Sequence, residues 1–195
     1  VPAVRGYGYC VSTNLSTGED VVSFLKAQHE EIKLLLDEVA NTVGEDRQHA
    51  FVRLRRLLAV HETAEEEIVH PRVRHVLTDG DAIVIARLNE EFHGKQALAE
   101  LEKLDPDSRQ FTAAFAQFSQ DVLAHAEAEE REEFSRLADK LDDDHLERMR
   151  TAVAIAERLA PTRPHPSLEL AGENFLAGPF AAMLDRVRDL ISGKH

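Results

Sequence analysis

Four of the ten histidines in this 195-residue chain, His29, His61, His93 and His125, follow one another at a constant interval of 32 residues. Two of them open the same pattern, His-x-x-Ala-Glu-Glu, at His61-Glu62-Thr63-Ala64-Glu65-Glu66 and at His125-Ala126-Glu127-Ala128-Glu129-Glu130. In an α-helix, positions i and i+4 project from one face, one turn apart, so Glu65 stands beside His61 and Glu129 beside His125. Four neutral imidazoles and two carboxylates in a buried space are costly unless cations neutralise them. The set therefore reads as a two-metal site, with terminal imidazoles and bridging carboxylates. Imidazole with carboxylate, and no thiolate, favours iron or manganese, with zinc possible.

Such a ladder needs elements that return to one level every 32 residues. Turn signals fall near Gly44, at Thr78-Asp79-Gly80-Asp81 and at Asp105-Pro106-Asp107, close to halfway between successive histidines. Allowing ~4 residues per loop leaves ~14 residues each way, or ~21 Å of helix. All four histidines then meet near mid-height of an all-α, up-down-up-down four-helix bundle.

Apolar residues recur at steps of three and four along each segment. The predicted inner stripes are Leu25, His29, Ile32, Leu36 and Val39 on the first helix, then Phe51, Leu54, Leu58, His61, Glu65 and Ile68 on the second. The third carries Ile85, Asn89, His93, Gln96 or Ala97, and Leu101; the fourth carries Phe111, Ala114, Phe118, Val122, His125, Glu129 and Glu133. Pro71 is expected to kink or unravel the second helix. The bundle is placed at 19–141, after a flexible leader over 1–18 that contains Cys10. A C-terminal helical extension is placed at 142–195, with a fifth helix to about Leu159, a linker stiffened by Pro161, Pro164 and Pro166, and a short helix opened by Gly178-Pro179.

Composition narrows the function. A net charge of −13 opposes nucleic-acid binding, which needs a basic face, and opposes docking on an anionic membrane. The single cysteine excludes an intramolecular disulfide and a cysteine-rich metal centre. Nothing in the sequence reads as a membrane span or a signal peptide, so a cytoplasmic location is expected.

Taken singly, the features have plainer accounts. A lone inward histidine is usually a hydrogen-bonded core residue, and runs such as Glu65-Glu66-Glu67 are usually solvated helix faces. Those accounts leave the shared level and the two paired carboxylates unexplained. Other motifs fall short. His61-Glu62 begins a zinc-protease HExxH, but Glu65 stands where the second histidine belongs. Glu67-x-x-His70 and Glu90-x-x-His93 resemble the Glu-x-x-His of ferritin-type sites, yet fall on adjacent helices at different levels.

The pattern of His29, His61 with Glu65, His93, and His125 with Glu129 resembles the hemerythrin-like, or HHE cation-binding, family, over roughly 19–141. The run from His61 through the acidic residues to His70-Pro71 is similar to the family's second-helix segment. The tail, with Ala160-Pro161 and Gly178-Pro179, is similar to those of actinobacterial members. The resemblance implies a non-haem di-iron centre, oxo- or hydroxo-bridged, in which each iron takes two histidines and both share Glu65 and Glu129.

Oxygen-carrying hemerythrins have a fifth histidine one turn from the third-helix ligand; here those positions are Asn89 and Ala97. His70, nine residues beyond His61, is ~13 Å further along the helix axis and is not expected to substitute. Each metal is therefore expected to keep an open position for dioxygen, peroxide or nitric oxide. Asn89 would offer a neutral amide to a bound ligand, and Asp121 would accept a hydrogen bond from a ligating imidazole. Catalase-like peroxide breakdown leads the expected activities, and the alternative is a non-catalytic oxygen or iron sensor. The expected partners are a small diatomic or peroxide ligand and, through the C-terminal helices, at most a second copy of the chain.

Overall fold

The computed structural model describes residues 20–159. Every regular element among them is helical: α1 (Val21–Asn41), α2 (Gly44–Ala64), a π-helical turn (Glu65–Val69), α3 (His70–Val76), α4 (Gly80–Leu101), α5 (Arg109–Glu129), a second π-helical turn (Glu130–Phe134), α6 (Ser135–Lys140) and α7 (Asp143–Leu159). The stretch from α2 through α3 is one continuous rod, and so is the stretch from α5 through α6. The leader, the proline linker and the helix expected after Gly178-Pro179 lie outside the described residues.

Local chemistry sets the ends of the rods. Asp20 caps α1 by accepting from the Ser23 amide at 2.8 Å, and Ser108 caps α5 by accepting from the Phe111 amide at 3.0 Å. Gly44 takes a φ of 62°, a left-handed value that suits glycine. Its N–H donates to Asp107 at 2.9 Å, tying the α1–α2 turn to the α4–α5 loop at the same end of the bundle. At the opposite end Gly80 opens α4 so close to α3 that a β-carbon would strike the Val73 carbonyl. Pro71 does not unravel the second rod, which continues to Val76. It lies at the start of α3, directly after the π turn, where the His70 N–H already reaches back five residues to the Glu65 carbonyl. The missing proline N–H falls where the regular ladder is already interrupted.

The rods close a ring. Helix α1 packs on α2 and α5, and α4 packs on α5 and α3, in up-down-up-down succession. Helix α7 returns along α1, α2 and the first π turn. Two apolar clusters fill this frame. One holds Ile32, Leu36, Val39, Phe51, Leu54, Leu58, Leu98, Phe111, Phe115 and Phe118 toward the Gly44 end. The other holds Leu25, Ile68, Val73, Val84, Phe134, Leu137, Met149 and Val153 toward the Gly80 end. Each such side chain contributes about 1.5–3 kcal/mol of burial. Between the clusters, where α1 passes from Leu25 to Ile32, the inward residue is His29. A polar layer separates two dry ones.

Two predicted stripes need correction. On α5 Phe115 is buried and Ala114 exposed. On α4 Leu101 is buried as expected, but the rest of the inner face runs through Ile83, Val84, Arg87, Glu91 and Leu98, not through Ile85, Asn89 and His93. Ile85 is 56% exposed. Apolar residues lie on every side of α4, so its pattern does not mark an inner face; packing against α3 and α5 does.

Candidate metal centre

The polar layer is built from three helical rods and α4. His29 comes from α1, His61, Glu65 and His70 from the second rod, Glu91 from α4, and His125, Glu129 and Glu133 from the last rod. The four carboxylates are between 0% and 2% exposed. Ligand atoms of His29, His61, Glu65 and Glu129 lie within 4.8 Å of one another, and so do those of His70, Glu91 and Glu129. Glu129 belongs to both groups.

The π turns explain the composition of this layer. Nine residues of regular α-helix rotate a side chain by roughly half a turn, which would put His70 on the face opposite His61. A π turn absorbs one extra residue, or about 100° of rotation, and brings His70 inward. The same device after Glu129 keeps Glu133 and Phe134 on the inner face, with the Phe134 ring stacked on His29 at 5.5 Å. The site therefore extends along the bundle axis from the imidazole level toward the Gly80 end.

Hydrogen bonds orient the rings. His29 Nδ1 is 2.9 Å from Glu130 Oε1, His125 Nδ1 is 2.9 Å from Glu90 Oε2, and His61 Nδ1 is 2.8 Å from Gln28 Oε1. Each partner atom is an acceptor, so each Nδ1 carries a proton; His29 and His61 then turn an Nε2 lone pair inward, while His125 Nε2 faces the Glu129 carboxylate. His29 Nε2 and His61 Nε2 lie 3.0 Å apart, His29 Nε2 lies 3.3 Å from Glu129, and His61 Nε2 lies 3.3 Å from Glu65. His125 Nε2 lies 3.0 Å from Glu129 Oε1. Lower in the site, His70 Nε2 is 3.6 Å from Glu91 and 3.7 Å from Glu133.

Burial without hydrogen bonds dominates the electrostatics. Both carboxylate oxygens of Glu65, Glu91 and Glu133 and both ring nitrogens of His70 are buried with no hydrogen-bond partner, and Glu129 has the His29 and His125 rings against it. Burial, then the neighbouring Glu129, raises the Glu65 carboxyl well above its usual range and pushes Glu133 up to about 8. Burial, then Glu62, raises Glu91. Burial lowers His70 to about 4, and burial with the nearby His29 lowers His61 to about 3. Burial also opposes charge at His125 and Glu129, but their mutual attraction prevails, holding His125 well above and Glu129 well below their usual values. Neutral imidazoles and unpartnered buried carboxylates fit cation binding, because a cation offsets the desolvation that both groups otherwise bear. The donor set falls into two groups of ligand atoms, each compact enough to hold a metal ion. Its upper half is rich in imidazole and its lower half in carboxylate, with Glu129 between them.

Of the residues expected from the sequence, His29, His61, Glu65 and Glu129 come together, with His125 against Glu129. His93 does not join them. It sits exposed, two residues and thus roughly 200° around α4 from Glu91, beside the Phe92 ring. Asn89, two residues before Glu91, is exposed for the same reason, and its amide donates to the Ile85 carbonyl at 2.8 Å. Asp121 is exposed and accepts from Gln117 at 2.9 Å, far from the role of an imidazole acceptor. Gln28, Glu90 and Glu130 take that role instead. Sequence reading missed His70, Glu91 and Glu133 as site residues, although Glu133 stands on the predicted inner stripe of the fourth helix. No sequence signal marked Glu91, because the series Arg87, Glu91, Lys95 reads as an ordinary solvated face of alternating charge.

A small cavity of about 20 Å³ lies beside the site, lined by Leu58, Glu62, Gly94, Lys95, Leu98, Phe118 and Val122. It has room for about one water-sized molecule. Burial, moderated by His125 and Lys95, pushes the Glu62 carboxyl up to about 7. Glu62, Glu66 and Glu91 form a third acidic group, and Lys95 pairs with Glu66 and lies 3.5 Å from Glu91.

Comparison with known proteins agrees with this architecture. Residues 20–137 match the hemerythrin HHE cation-binding domain, and the chain belongs to that family. The fold is shared with a hemerythrin HHE cation-binding domain-containing protein of Mycobacterium kansasii: TM-score 0.64, 20% identity, covering 87% of this chain and 99% of that one. A protein of Nostoc sp. (strain PCC 7120) described as a DNA nickase is 22% identical over 161 residues, covering 80% of this chain and 45% of the relative. The chain thus spans less than half the length of that relative. Among the described residues, no helix is long and apolar enough to cross a membrane.

Proposed function

We propose that this protein binds two iron ions in the His/Glu layer and uses them to bind and break down a small oxidant, hydrogen peroxide first among the candidates. The observation that carries the reading is the set of buried, unpartnered carboxylate oxygens on Glu65, Glu91 and Glu133, grouped with Glu129 around the buried imidazoles of His29, His61 and His70. His29, His61, His125, Glu65 and Glu129 would hold one ion, and His70, Glu91, Glu133 and the shared Glu129 the other. Bound iron would supply two-electron exchange with the oxidant.

The chain's own residues do the rest. Glu130, Gln28 and Glu90 keep three imidazoles in the ligating tautomer. The apolar clusters above and below exclude bulk water. The cavity at Leu58, Leu98, Phe118 and Val122 has room for about one water-sized molecule, which rejects bulky substrates. Glu62, bordering both cavity and acidic layer, can hold or release a proton at Oε2 near neutral pH.

The test is elemental analysis of protein made with ample iron, followed by oxygen evolution from peroxide. About two irons per chain are expected, with oxygen release above that of the iron-free protein and slower release in Glu62→Gln. Two irons with no oxygen release would favour the rival reading, a non-catalytic oxygen or iron sensor. Zinc bound only at exposed histidines would remove both. Phosphodiester cleavage, raised by the name of the Nostoc relative, is compatible with paired metals, but the net charge of −13 opposes a DNA-binding face on this chain. Nicking of supercoiled plasmid by the iron- or manganese-loaded protein would overturn that exclusion.

A further inference from the structure

His61 is oriented from outside the matched domain. Its Nδ1 donates to Gln28 Oε1 at 2.8 Å, and the amide nitrogen of the same Gln28 donates to Glu157 Oε1 on α7 at 2.6 Å. A primary amide has two ends, and nothing about Gln28 alone decides which faces His61. Turned over, it would present its NH2 to Nδ1, which would then need a lone pair there. The ring proton would move to Nε2, the atom that lies 3.0 Å from His29 Nε2 and 3.3 Å from Glu65. A proton at that atom occupies the lone pair a metal needs. Glu157 removes the ambiguity, because a carboxylate accepts and does not donate, so the NH2 end of Gln28 must face α7.

We propose that Glu157 is a positioning residue that, through Gln28, holds His61 in the Nδ1–H tautomer and so keeps Nε2 free for metal. The inference rests on the metal-binding reading above and assigns α7 a part in it. Helix α7 is anchored for the task. Met149, Val153 and Ala156 are buried in the lower apolar cluster, and the Arg150 guanidinium lies 3.4 Å over the Phe24 ring of α1, one turn before Gln28. The family match ends at residue 137, so the pair Gln28–Glu157 joins the domain to a helix that lies beyond it.

Glu157→Gln is the discriminating variant. It keeps size and helix propensity but can either donate or accept, so the orientation of Gln28 is no longer dictated. Gln28→Met removes the acceptor while leaving α7 in place. Imidazole nitrogen NMR of the iron-free full chain reads the tautomer, with His61→Ala identifying the signal among ten histidines. Ferrous iron affinity is read by anaerobic competition with a chromogenic chelator. A single Nδ1–H tautomer is expected in the parent protein. Both variants should show a mixed population and bind iron about tenfold more weakly. An unchanged tautomer in both variants overturns the proposal even if affinity falls, since the loss would then be general loosening. A changed tautomer with unchanged affinity overturns it as well. Wild-type iron affinity in His61→Ala would instead refute the metal site itself.

Discussion

Replacing Glu133 by glutamine should stabilise the metal-free protein and weaken the metal-loaded one. Burial, then Glu129, pushes the Glu133 carboxyl up to about 8 from an ordinary 4.5, so between those pH values the folded chain holds a proton that the unfolded chain has released. The metal-free fold therefore loses stability as pH rises from about 4.5 to about 8. At pH 7 the penalty is about 3 kcal/mol, and at pH 5 it falls below ~1 kcal/mol. Glutamine is neutral at both pH values and matches the carboxyl in shape. Glu133→Gln should thus raise the melting temperature of the metal-free protein by about 6–12 °C at pH 7 and by little at pH 5. With iron bound, the charge lost at a ligand should weaken binding by about tenfold or more and remove at least ~1.4 kcal/mol of the stabilisation that saturating metal confers. The assay is thermal unfolding of chelator-treated and iron-loaded protein at the two pH values. A metal-free variant no more stable than its parent at pH 7, or an equal gain in the loaded form, would show that Glu133 is not an uncompensated carboxyl awaiting a cation.

Other outcomes follow from the same geometry. Glu129→Ala should empty both halves of the site, whereas His70→Ala or Glu91→Ala should lower iron from about two per chain to about one, by elemental analysis. His93→Ala, Asn89→His and Asp121→Ala alter exposed side chains and should leave iron content unchanged and stability within ~0.5 kcal/mol in urea titrations. A loss of iron in His93→Ala would contradict the assigned face of α4. Met149→Ala, in the core shared by α7 and the bundle, should cost about 2–5 kcal/mol.

The sequence by itself determined the frame. Steps of three and four in the apolar residues of α1 and α2 named Leu25, His29, Ile32, Leu36, Leu54, His61 and Glu65 as inward, because one face of each helix is consistently apolar or ligand-bearing. The equal spacing of turn signals then made an up-down-up-down bundle the natural reading. Pairing His61 with Glu65 and His125 with Glu129 needed only the pitch of a helix.

Tertiary structure decided what helical pitch alone could not. An interval of 32 residues pointed to His93, yet it carries no information about which way α4 is turned; packing against α3 and α5 turned Glu91 inward and left His93 in solvent. Likewise, counting 1.5 Å per residue put His70 out of reach, because the count assumed an uninterrupted α-helix. Each π turn absorbs a residue just after the His-x-x-x-Glu pair, rotating His70 and its counterpart Phe134 into the layer. Rotation about a helix axis is set by neighbours and hydrogen-bond slips, not by spacing along the chain. That is why half of the site was legible as a motif and the other half existed only once the helices were packed.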